Sequence, residues 1–312
     1  MRLVVLGGGG FIGSAVVGRL LLDGHQVRVL DRLKKENFRD PELASRVEWF
    51  NGDVFDRVRV DEALEGTDAV VHVVSSTSPK TSADDPIFDV KTNLVGSLQI
   101  LDAMVRGGVK KIVFISSGGT VYGKVKYLPV DEAHPTDPLV SYGIVKLAIE
   151  KYLSAYEERF GIQAISLRVT NPYGEWQRLE GDQGVVGVFL RRVLTGQKIE
   201  VWGDGSTVRD FLYVGDVGDA VARALLYAGH YRVFNISSGE GTSLNELLRL
   251  IRAALSINFE VEYKMGRSFD IPVSVVSSKL AQNELGWVSK VSLLDGIERT
   301  ASCLRVRLGI DE

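Results

Sequence analysis

Residues 2–13 of the chain read RLVVLGGGGFIG and decide the fold: a short apolar run, four glycines and the start of a second apolar pattern. The first run predicts a strand at residues 2–6, and the second predicts a helix at residues 11–23, ended by Gly24. Glycines between a strand and a helix let the backbone approach a pyrophosphate at the N-terminus of the helix. Two glycine registers fit this arrangement: Gly8/Gly10/Gly13 and Gly7/Gly10/Gly13.

A second strand, predicted at residues 26–30, brings Asp31 to the place where a carboxylate accepts hydrogen bonds from an adenosine ribose. Strand, glycines, helix, strand and acid in this order indicate a dinucleotide-binding site. Arg32 leaves an opening for NADP, although the neighbouring carboxylate would repel a 2′-phosphate. Asp53 follows the next strand and has two interpretations, a contact with the adenine amino group or an N-cap or turn aspartate.

The alternation of strands and helices continues, and its short connections predict a doubly wound (Rossmann) parallel sheet of the α/β class with five or six strands. The further strands are expected at residues 46–50, 68–74, 111–115 and 162–169. A long amphipathic helix is expected at about residues 86–106, where Asn93 falls among apolar positions and needs a partner if it is buried. His72 lies inside an almost wholly apolar strand, so we interpret it as a core residue.

Beyond Tyr173 the regular alternation gives way to shorter elements. Helices are predicted at residues 185–194, at 217–228 with Asp216 as N-cap, and at 244–255, opened by a capping box of Ser243 and Glu246. We therefore expect an NAD-binding Rossmann domain at residues 1–172. A smaller C-terminal α/β substrate lobe, interleaved with the end of the sheet, is expected at residues 173–312. A lobe at the carboxyl ends of the strands implies a substrate larger than a hydride acceptor alone.

Composition excludes several classes of function. Of the 312 residues, 45% are apolar and 25% are charged, which is the balance of an ordinary globular protein. A net charge of −3 provides no basic surface, so nucleic acid is not an expected partner. Cys303 is the one cysteine and the four histidines are scattered, so no metal site is expected. No apolar run is long enough to predict a membrane span, and the single thiol and missing targeting segment favour the cytoplasm.

Tyr142 and Lys146 have the spacing of a catalytic pair, because residues at i and i+4 share one face of a helix. A tyrosine acts as a base only when its pKa falls from about 10 toward neutrality, and an ammonium group one turn away favours the phenolate. Aromatic and basic residues also occur at this spacing on ordinary helix flanks. The pair therefore gains meaning only beside a cofactor site.

Several motifs occur together in a fixed order: Gly7/Gly10/Gly13, Asp31, Gly52-Asp53-Val54, Asn93-Leu94-Val95-Gly96, Tyr142/Lys146, residues 168–174, residues 203–211, and Arg267 ahead of Asp270. This set resembles that of the extended short-chain dehydrogenase/reductases, and within them the NAD-dependent nucleotide-sugar epimerase/dehydratase group. The resemblance covers nearly the whole chain.

The resemblance implies NAD as cofactor and assigns roles to individual positions. Tyr142 is expected to be the general acid or base, and Lys146 its pKa modulator and a ligand of the nicotinamide ribose. The expected cofactor-binding residues are Gly7, Gly10, Phe11, Ile12, Gly13, Asp31, Arg32, Asp53, Val54, Val73, Ser75, Asn93, Ser116, Tyr142 and Lys146. The expected substrate-binding residues are Ser117, Thr120, Tyr142, Asn171, Val186, Val201, Trp202, Arg209 and Arg267. Among these, Asn171 is expected to hold the substrate diphosphate, and the two arginines are expected to clamp the nucleotide phosphates.

The reaction is inferred from two residues. Gly119 and Thr120 stand where the 4,6-dehydratases of this family carry an Asp-Glu pair or a Glu, so the acid–base pair that eliminates water is missing. We therefore expect NAD-dependent epimerisation, at C4, of a nucleotide-activated hexose, a UDP-sugar, through a transient 4-keto intermediate. The alternatives are an NAD(P)-dependent sugar-nucleotide reductase or dehydrogenase, and a non-catalytic NAD-binding protein.

One position departs from the family pattern. Gly118 stands where a serine or threonine usually assists the catalytic tyrosine. We expect Ser117 to supply the missing hydroxyl as a catalytic residue, with Thr120 as the alternative. The resemblance also implies a homodimer, formed through the helices at residues 86–106 and 142–160.

Overall fold

The computed structural model describes residues 1–38, 40–177, 184–266 and 271–310. Its strands are β1 Arg2–Leu6, β2 Gln26–Asp31, β3 Glu48–Asn51, β4 Ala69–His72, β5 Lys111–Ser117, β6 Gln163–Val169, β7 Pro172–Tyr173, β8 Ile199–Trp202, β9 Val208–Arg209, β10 Leu212–Tyr213, β11 Val233–Ile236, β12 Thr242–Ser243, β13 Val261–Lys264 and β14 Val273–Ser274. Its α-helices are α1 Phe11–Leu22, α2 Pro41–Ser45, α3 Arg57–Leu64, α4 Pro79–Asp84, α5 Pro86–Asp89, α6 Gly96–Gly107, α7 Ser141–Phe160, α8 Val185–Leu194, α9 Val214–Leu226, α10 Leu244–Leu255, α11 Lys279–Leu285 and α12 Leu293–Leu308. A 3₁₀ helix spans Lys35–Asn37, and a π-helix spans Val90–Val95.

The main sheet has seven strands in the order β11-β6-β5-β4-β1-β2-β3, and all of its pairings are parallel. This confirms the predicted doubly wound α/β fold. The strand count was predicted one or two too low, because β11 lies far along the chain yet pairs with β6. The strand order reverses between β1 and β4, which is where ligands bind in such sheets.

Helices cover both faces of this sheet. Helices α1, α9 and α11 pack on one face, and α3, α6 and α7 pack on the other. Strand residues of β1 and β4 are buried on both sides, which explains why their sequences are apolar throughout rather than alternating. Helices α1 and α9 come close together at Gly218, where an added Cβ would lie 3.0 Å from the carbonyl oxygen of Ala15.

The start of α9 corrects one prediction. Asp216 was expected to cap this helix, but the helix begins at Val214 and Asp216 lies buried within its first turn. Its carboxylate accepts hydrogen bonds from the backbone N–H groups of Lys290 and Val291, so it fastens the segment that leads into α12. An aspartate interacts favourably with the helix dipole both at the N-cap and within the first turn, so the sequence pattern alone did not distinguish these two positions.

The predicted helix at residues 86–106 is confirmed in its extent, because helical structure runs without a gap from Pro86 to Gly107. The helix consists of α5, the π-helix and α6 in succession. Within the π-helix the side chain of Asn93 points into the protein. Asn93 is 5% exposed and has the partners that its burial demands. Single π turns inside α-helices are frequent at functional sites.

The second half of the chain builds a further core around α8, α10 and α12 and several short sheets. Helix α10 begins after Ser243, whose hydroxyl accepts a hydrogen bond from the N–H of Glu246, which confirms the serine half of the predicted capping box. The division at residues 172 and 173 stays a prediction. None of the helices in the described part of the chain combines the length and apolar character that crossing a bilayer requires.

Candidate active site

The glycine loop connects β1 to α1 at the carboxyl edge of the sheet. Gly7 has a φ of +82°, a value that L side chains rarely adopt, and its N–H donates to the carbonyl oxygen of Leu30. A Cβ on Gly13 would collide with the Gly7 carbonyl, so helix and loop are in direct contact there. Gly13 belongs to both predicted registers, so it is the positive φ of Gly7 that favours the register Gly7/Gly10/Gly13. Among the described residues no side chain caps α1 and its first turn holds no acid, so its N-terminus suits an anion.

Phe11 and Ile12 follow in the first turn of α1 and are half-buried. Val54 is buried in the core formed with α3, α6 and α7, and Val73 is half-buried after β4. Their side chains can border a ligand only by apolar contact. They therefore shape the predicted NAD site without supplying polar recognition.

Asp31 ends β2 beside the glycine loop. Its carboxylate accepts hydrogen bonds from the N–H groups of Gly9 and Leu33, both at 2.8 Å. Two backbone donors hold this carboxylate at the edge where a ribose would lie, so the geometry fits the role that the sequence predicted. Arg32 is exposed and lies 3.7 Å from Asp53, a loose surface pair. Asp53 also accepts from the N–H of Phe55, so it is at least a turn aspartate, and Asp56 caps the next helix.

Tyr142 and Lys146 lie on one face of α7, next to the carboxyl end of β5. The Lys146 ammonium is 5.6 Å from the centre of the Tyr142 ring and 4.7 Å from that of Phe114. Its Nζ donates to the carbonyl oxygen of Ile115 at 2.9 Å, and the side chain is buried. The predicted pair is therefore present as a geometric unit, anchored to the strand that ends at Ser117.

The electrostatics of this pair are set mainly by burial. Burial lowers the pKa of Lys146 to about 8, while Asp89 and Glu150 oppose that shift. Burial raises the pKa of Tyr142, a hydrogen bond with Ser75 opposes the rise, and Asp89 adds to it. In this protein alone, Tyr142 therefore favours its protonated form. The expected lowering of its pKa by Lys146 is not evident in this structure, and formation of the phenolate needs further positive charge.

Ser117 and Thr120 are the two residues predicted to supply the hydroxyl that Gly118 lacks, and their side chains contact each other. The Thr120 hydroxyl donates to the Ser117 Oγ at 2.8 Å, so the two predicted alternatives form one hydrogen-bonded pair. A Cβ on Gly118 would lie 2.9 Å from the carbonyl oxygen of Arg168 and 3.2 Å from a methyl group of Thr170. The end of β6 fills the space where a side chain at position 118 would stand.

Ser116, predicted to bind the cofactor, has its hydroxyl directed elsewhere. It donates to Glu150, which is paired at 2.6 Å with Arg168. Arg168 also donates to the hydroxyl of Tyr122, and Tyr122 donates to Asn235 in β11. This buried chain of polar groups joins β5, α7, β6 and β11 behind the catalytic pair. Any contact of Ser116 with the cofactor would have to come from its backbone.

The residues predicted to bind the substrate fall into two groups. Asn171 donates to the carbonyl oxygen of Asp210, and Arg209 donates to those of Val208 and Ile271, so backbone carbonyl groups orient both side chains. Trp202 is 42% exposed at the end of β8. Val186 and Val201, by contrast, are buried in the core around α8, α10 and α12. Arg267 lies outside the described residues.

Sequence reasoning missed three polar groups that surround the pair. Asp89 and Glu150 are buried carboxylates near Lys146, and the Ser82 hydroxyl accepts the N–H of Tyr142 at 3.1 Å. Glu150 follows Lys146 by four residues, so the helical spacing could have revealed it. Asp89 and Ser82 approach from separate helices, and no spacing rule connects them to Tyr142.

The chain as a whole is similar to known proteins. The model of the NAD dependent epimerase/dehydratase family matches residues 3–237. The UDP-glucose 4-epimerase of Mycolicibacterium smegmatis is 37% identical over 98% of this chain and 99% of its own. The crystal structure of a Thermotoga maritima UDP-glucose 4-epimerase with UDP-glucose has a TM-score of 0.93 at 36% identity, covering 99% of this chain and all of that one.

A Thermus thermophilus UDP-glucose 4-epimerase, solved as a complex with NAD, has a TM-score of 0.89 at 37% identity and covers 98% of this chain and 99% of that one. The family match spans more than half of the sequence, and the similarity to these proteins extends across nearly all of it. The chain therefore belongs to the NAD-dependent epimerase/dehydratase family.

Proposed function

We propose that this protein is an NAD-dependent 4-epimerase that acts on a UDP-hexose. The observation that carries the proposal is the Tyr142/Lys146 pair at the carboxyl end of β5, on the same edge of the sheet as the glycine loop. Gly119 and Thr120, which follow β5, stand where the resemblance places the carboxylates of the dehydratases. The Thr120 hydroxyl is also engaged by Ser117, which leaves no acid–base pair there for removing water. Relatives named UDP-glucose 4-epimerase, similar over almost the full length of both chains, support the same reaction.

In this mechanism Tyr142 takes the proton of the sugar 4-hydroxyl and returns it at the end of the cycle. NAD, when bound, supplies the hydride acceptor and donor and adds a positive charge that favours the phenolate. Lys146 contributes its own positive charge and holds the nicotinamide ribose. Ser117, oriented by Thr120, donates a hydrogen bond to the reacting oxygen of the sugar.

The cofactor and the nucleotide are assigned to different parts of the chain. The glycine loop and Asp31 hold NAD in residues 1–172, and residues 173–312 hold the sugar nucleotide. Asn171, at the junction, and Arg209 bind the diphosphate, with Arg267 as a second predicted clamp. A diphosphate held in this way keeps the 4-keto sugar in the site while the hexose turns its other face to the hydride donor.

The test is a panel of UDP-, dTDP- and GDP-sugars followed by NMR, with no NAD(H) added. Epimerised product is expected from a UDP-sugar, because the net reaction consumes no cofactor. Tyr142→Phe should lower turnover by at least about 100-fold while leaving the fold intact, since it removes the general base. Consumption of added NAD(P)H would indicate the reductase alternative. Full activity in Tyr142→Phe would show that Tyr142 is not the general base.

We also propose that the protein forms a homodimer through the helical segments that start at Pro86 and at Ser141. Their outer faces carry large apolar side chains in unusual number for a surface. These are Ile87, Phe88, Val90, Val95, Ile144 and Tyr152, which are 39% to 66% exposed. The cytoplasmic location expected from the sequence stays a prediction.

A further inference from the structure

Asp89 is a fully buried carboxylate that the proposed mechanism does not use. It ends α5, directly before the π-helix, and its side chain is 0% exposed. No ion pair joins it to a cation within the described ranges. A buried charge without such a partner is costly unless several hydrogen-bond donors stabilise it, so its presence beside the catalytic pair requires an explanation.

Three neutral groups donate to Asp89. The hydroxyl of Thr77 donates at 2.6 Å and the amide of Asn93 at 2.7 Å, both to Oδ1. The hydroxyl of Ser141 donates to Oδ2 at 2.7 Å. A carboxylate that only accepts hydrogen bonds is suited to the ionised form. Ser141 is the first residue of α7, a helix without a side-chain cap of its own, so Asp89 places negative charge at a helix N-terminus.

These contacts tie Asp89 to segments that adjoin Tyr142. Thr77 belongs to the loop whose Ser75 forms a hydrogen bond with the Tyr142 hydroxyl. Asn93 completes the arrangement, because its amide also donates to Thr77 and its oxygen accepts the N–H of Ser76. The loop, the π-helix and the first turn of α7 therefore meet at one carboxylate.

We propose that Asp89 is a positioning residue of the active site, which holds these three segments around Tyr142 and adds negative charge close to the start of the helix that carries Lys146. The proposal deepens the function proposed above and rests on it for the meaning of the pair. It requires no contact between Asp89 and the substrate.

The charges around Lys146 single out Asp89. Two carboxylates raise the pKa of Lys146, Asp89 more than Glu150, and Glu150 is also paired with Arg168 at 2.6 Å. His72, on the strand beneath, cannot contribute negative charge, and burial lowers its pKa to about 3, so it is neutral. The other charged residues near Asp89, on α4 and the adjoining helical segments, have exposed side chains screened by water: Lys80, Asp84, Asp85 and Lys91.

The sign of the effect follows from the charge. A negative group raises the pKa of every neighbouring acid, and Asp89 acts in this direction on both Tyr142 and Lys146. Its removal should therefore lower both pKa values together. Activity that needs an ionised Tyr142 and a protonated Lys146 would keep a bell-shaped pH profile, with both limbs moved to lower pH. A residue that acts only as a structural brace would lower the rate and the stability without moving either limb.

The variant is Asp89→Asn, which keeps the shape of the side chain and removes its charge. Lysine labelled with ¹³C at Cε allows the Lys146 signal, identified by its loss in Lys146→Met, to be titrated by NMR. We expect the pKa of Lys146 to fall by about one unit, the low end of the effect of a nearby charge. The pH profile of epimerisation should shift in the same direction at both limbs.

The matched control is Asp85→Asn, which removes an exposed carboxylate one turn earlier and should change neither readout. If Asp89→Asn does not fold, Asp89→Thr removes the charge while keeping a hydroxyl for Ser141, and the same shifts are expected. An unshifted Lys146 titration in a folded variant would overturn the proposal. A wild-type protein without epimerase activity would instead overturn the proposed function, since the titration does not depend on turnover.

Discussion

The sequence predicts that Gly118 departs from the family pattern, and the surroundings of Gly118 predict what a hydroxyl there would do. In Gly118→Ser the new Cβ would lie 2.9 Å from the backbone oxygen of Arg168, which cannot move without shifting the end of β6. We expect the free energy of unfolding to fall by about 1–3 kcal/mol, with no gain in turnover. Urea unfolding and the epimerisation assay measure the two quantities.

Gly119→Ser provides the control for this prediction. A Cβ on Gly119 meets no atom within 4 Å, so the same substitution one residue later should be tolerated. If Gly118→Ser raises turnover at unchanged stability, the prediction that Arg168 leaves no room for a side chain at position 118 is wrong.

The pairing of Ser117 with Thr120 leads to a second prediction. Because the threonine donates to the serine, it should act only through the serine. We expect Ser117→Ala to lower kcat by about tenfold, the equivalent of one lost hydrogen bond in the transition state. Thr120→Val should cost less, and the double variant should be no slower than Ser117→Ala. Additive losses in this double-mutant cycle would show that the two hydroxyls act independently.

For individual residues, the sequence predicts those that lie in a local motif. It does not predict side chains from distant segments that come together only in the folded protein. Successive strand residues point to opposite faces, so Ser116 and Ser117 could not both face the site, and apolar character alone did not show that Val186 belongs to a core. Asp31 and Tyr142 lie within local patterns whose meaning depends on a few neighbouring residues. Asp89 acquires its role only when three distant segments fold together.

At the scale of elements, periodicity located the helices well and described their interiors poorly. Residues 185–194 and 244–255 were predicted at the bounds that the structure gives to α8 and α10. The π-helix was not predicted, because one added residue per turn barely changes an apolar stripe read over several turns. Yet this turn is what directs Asn93 inward to Asp89 and to the loop at Ser76. The π-helix, which the sequence did not predict, is therefore the part of this helix that contacts Asp89 and the loop next to Tyr142.

The whole molecule depends on one contact between distant parts of the chain that local reasoning could not supply. Strand β11 completes the sheet next to β6. Tyr122, in the loop after β5, donates a hydrogen bond from its hydroxyl to the Oδ1 of Asn235 in β11. A four-residue segment with three apolar residues fits a strand or a helix turn equally well, so its place needed the tertiary structure. This pairing connects the second half of the chain to the buried Glu150–Arg168 pair behind Lys146.

The proposed homodimer gives the prediction that belongs to this scale. Ile144, Ala148 and Tyr152 form a stripe along α7, and Ile144 is 53% exposed. A charge at the centre of a buried helical interface is costly, so Ile144→Glu should convert the dimer to a monomer in sedimentation velocity experiments. Val306→Glu, at an 83% exposed position of α12, should leave the dimer intact. A dimer that survives Ile144→Glu would place the interface elsewhere, whereas a monomeric wild-type protein would exclude the homodimer itself.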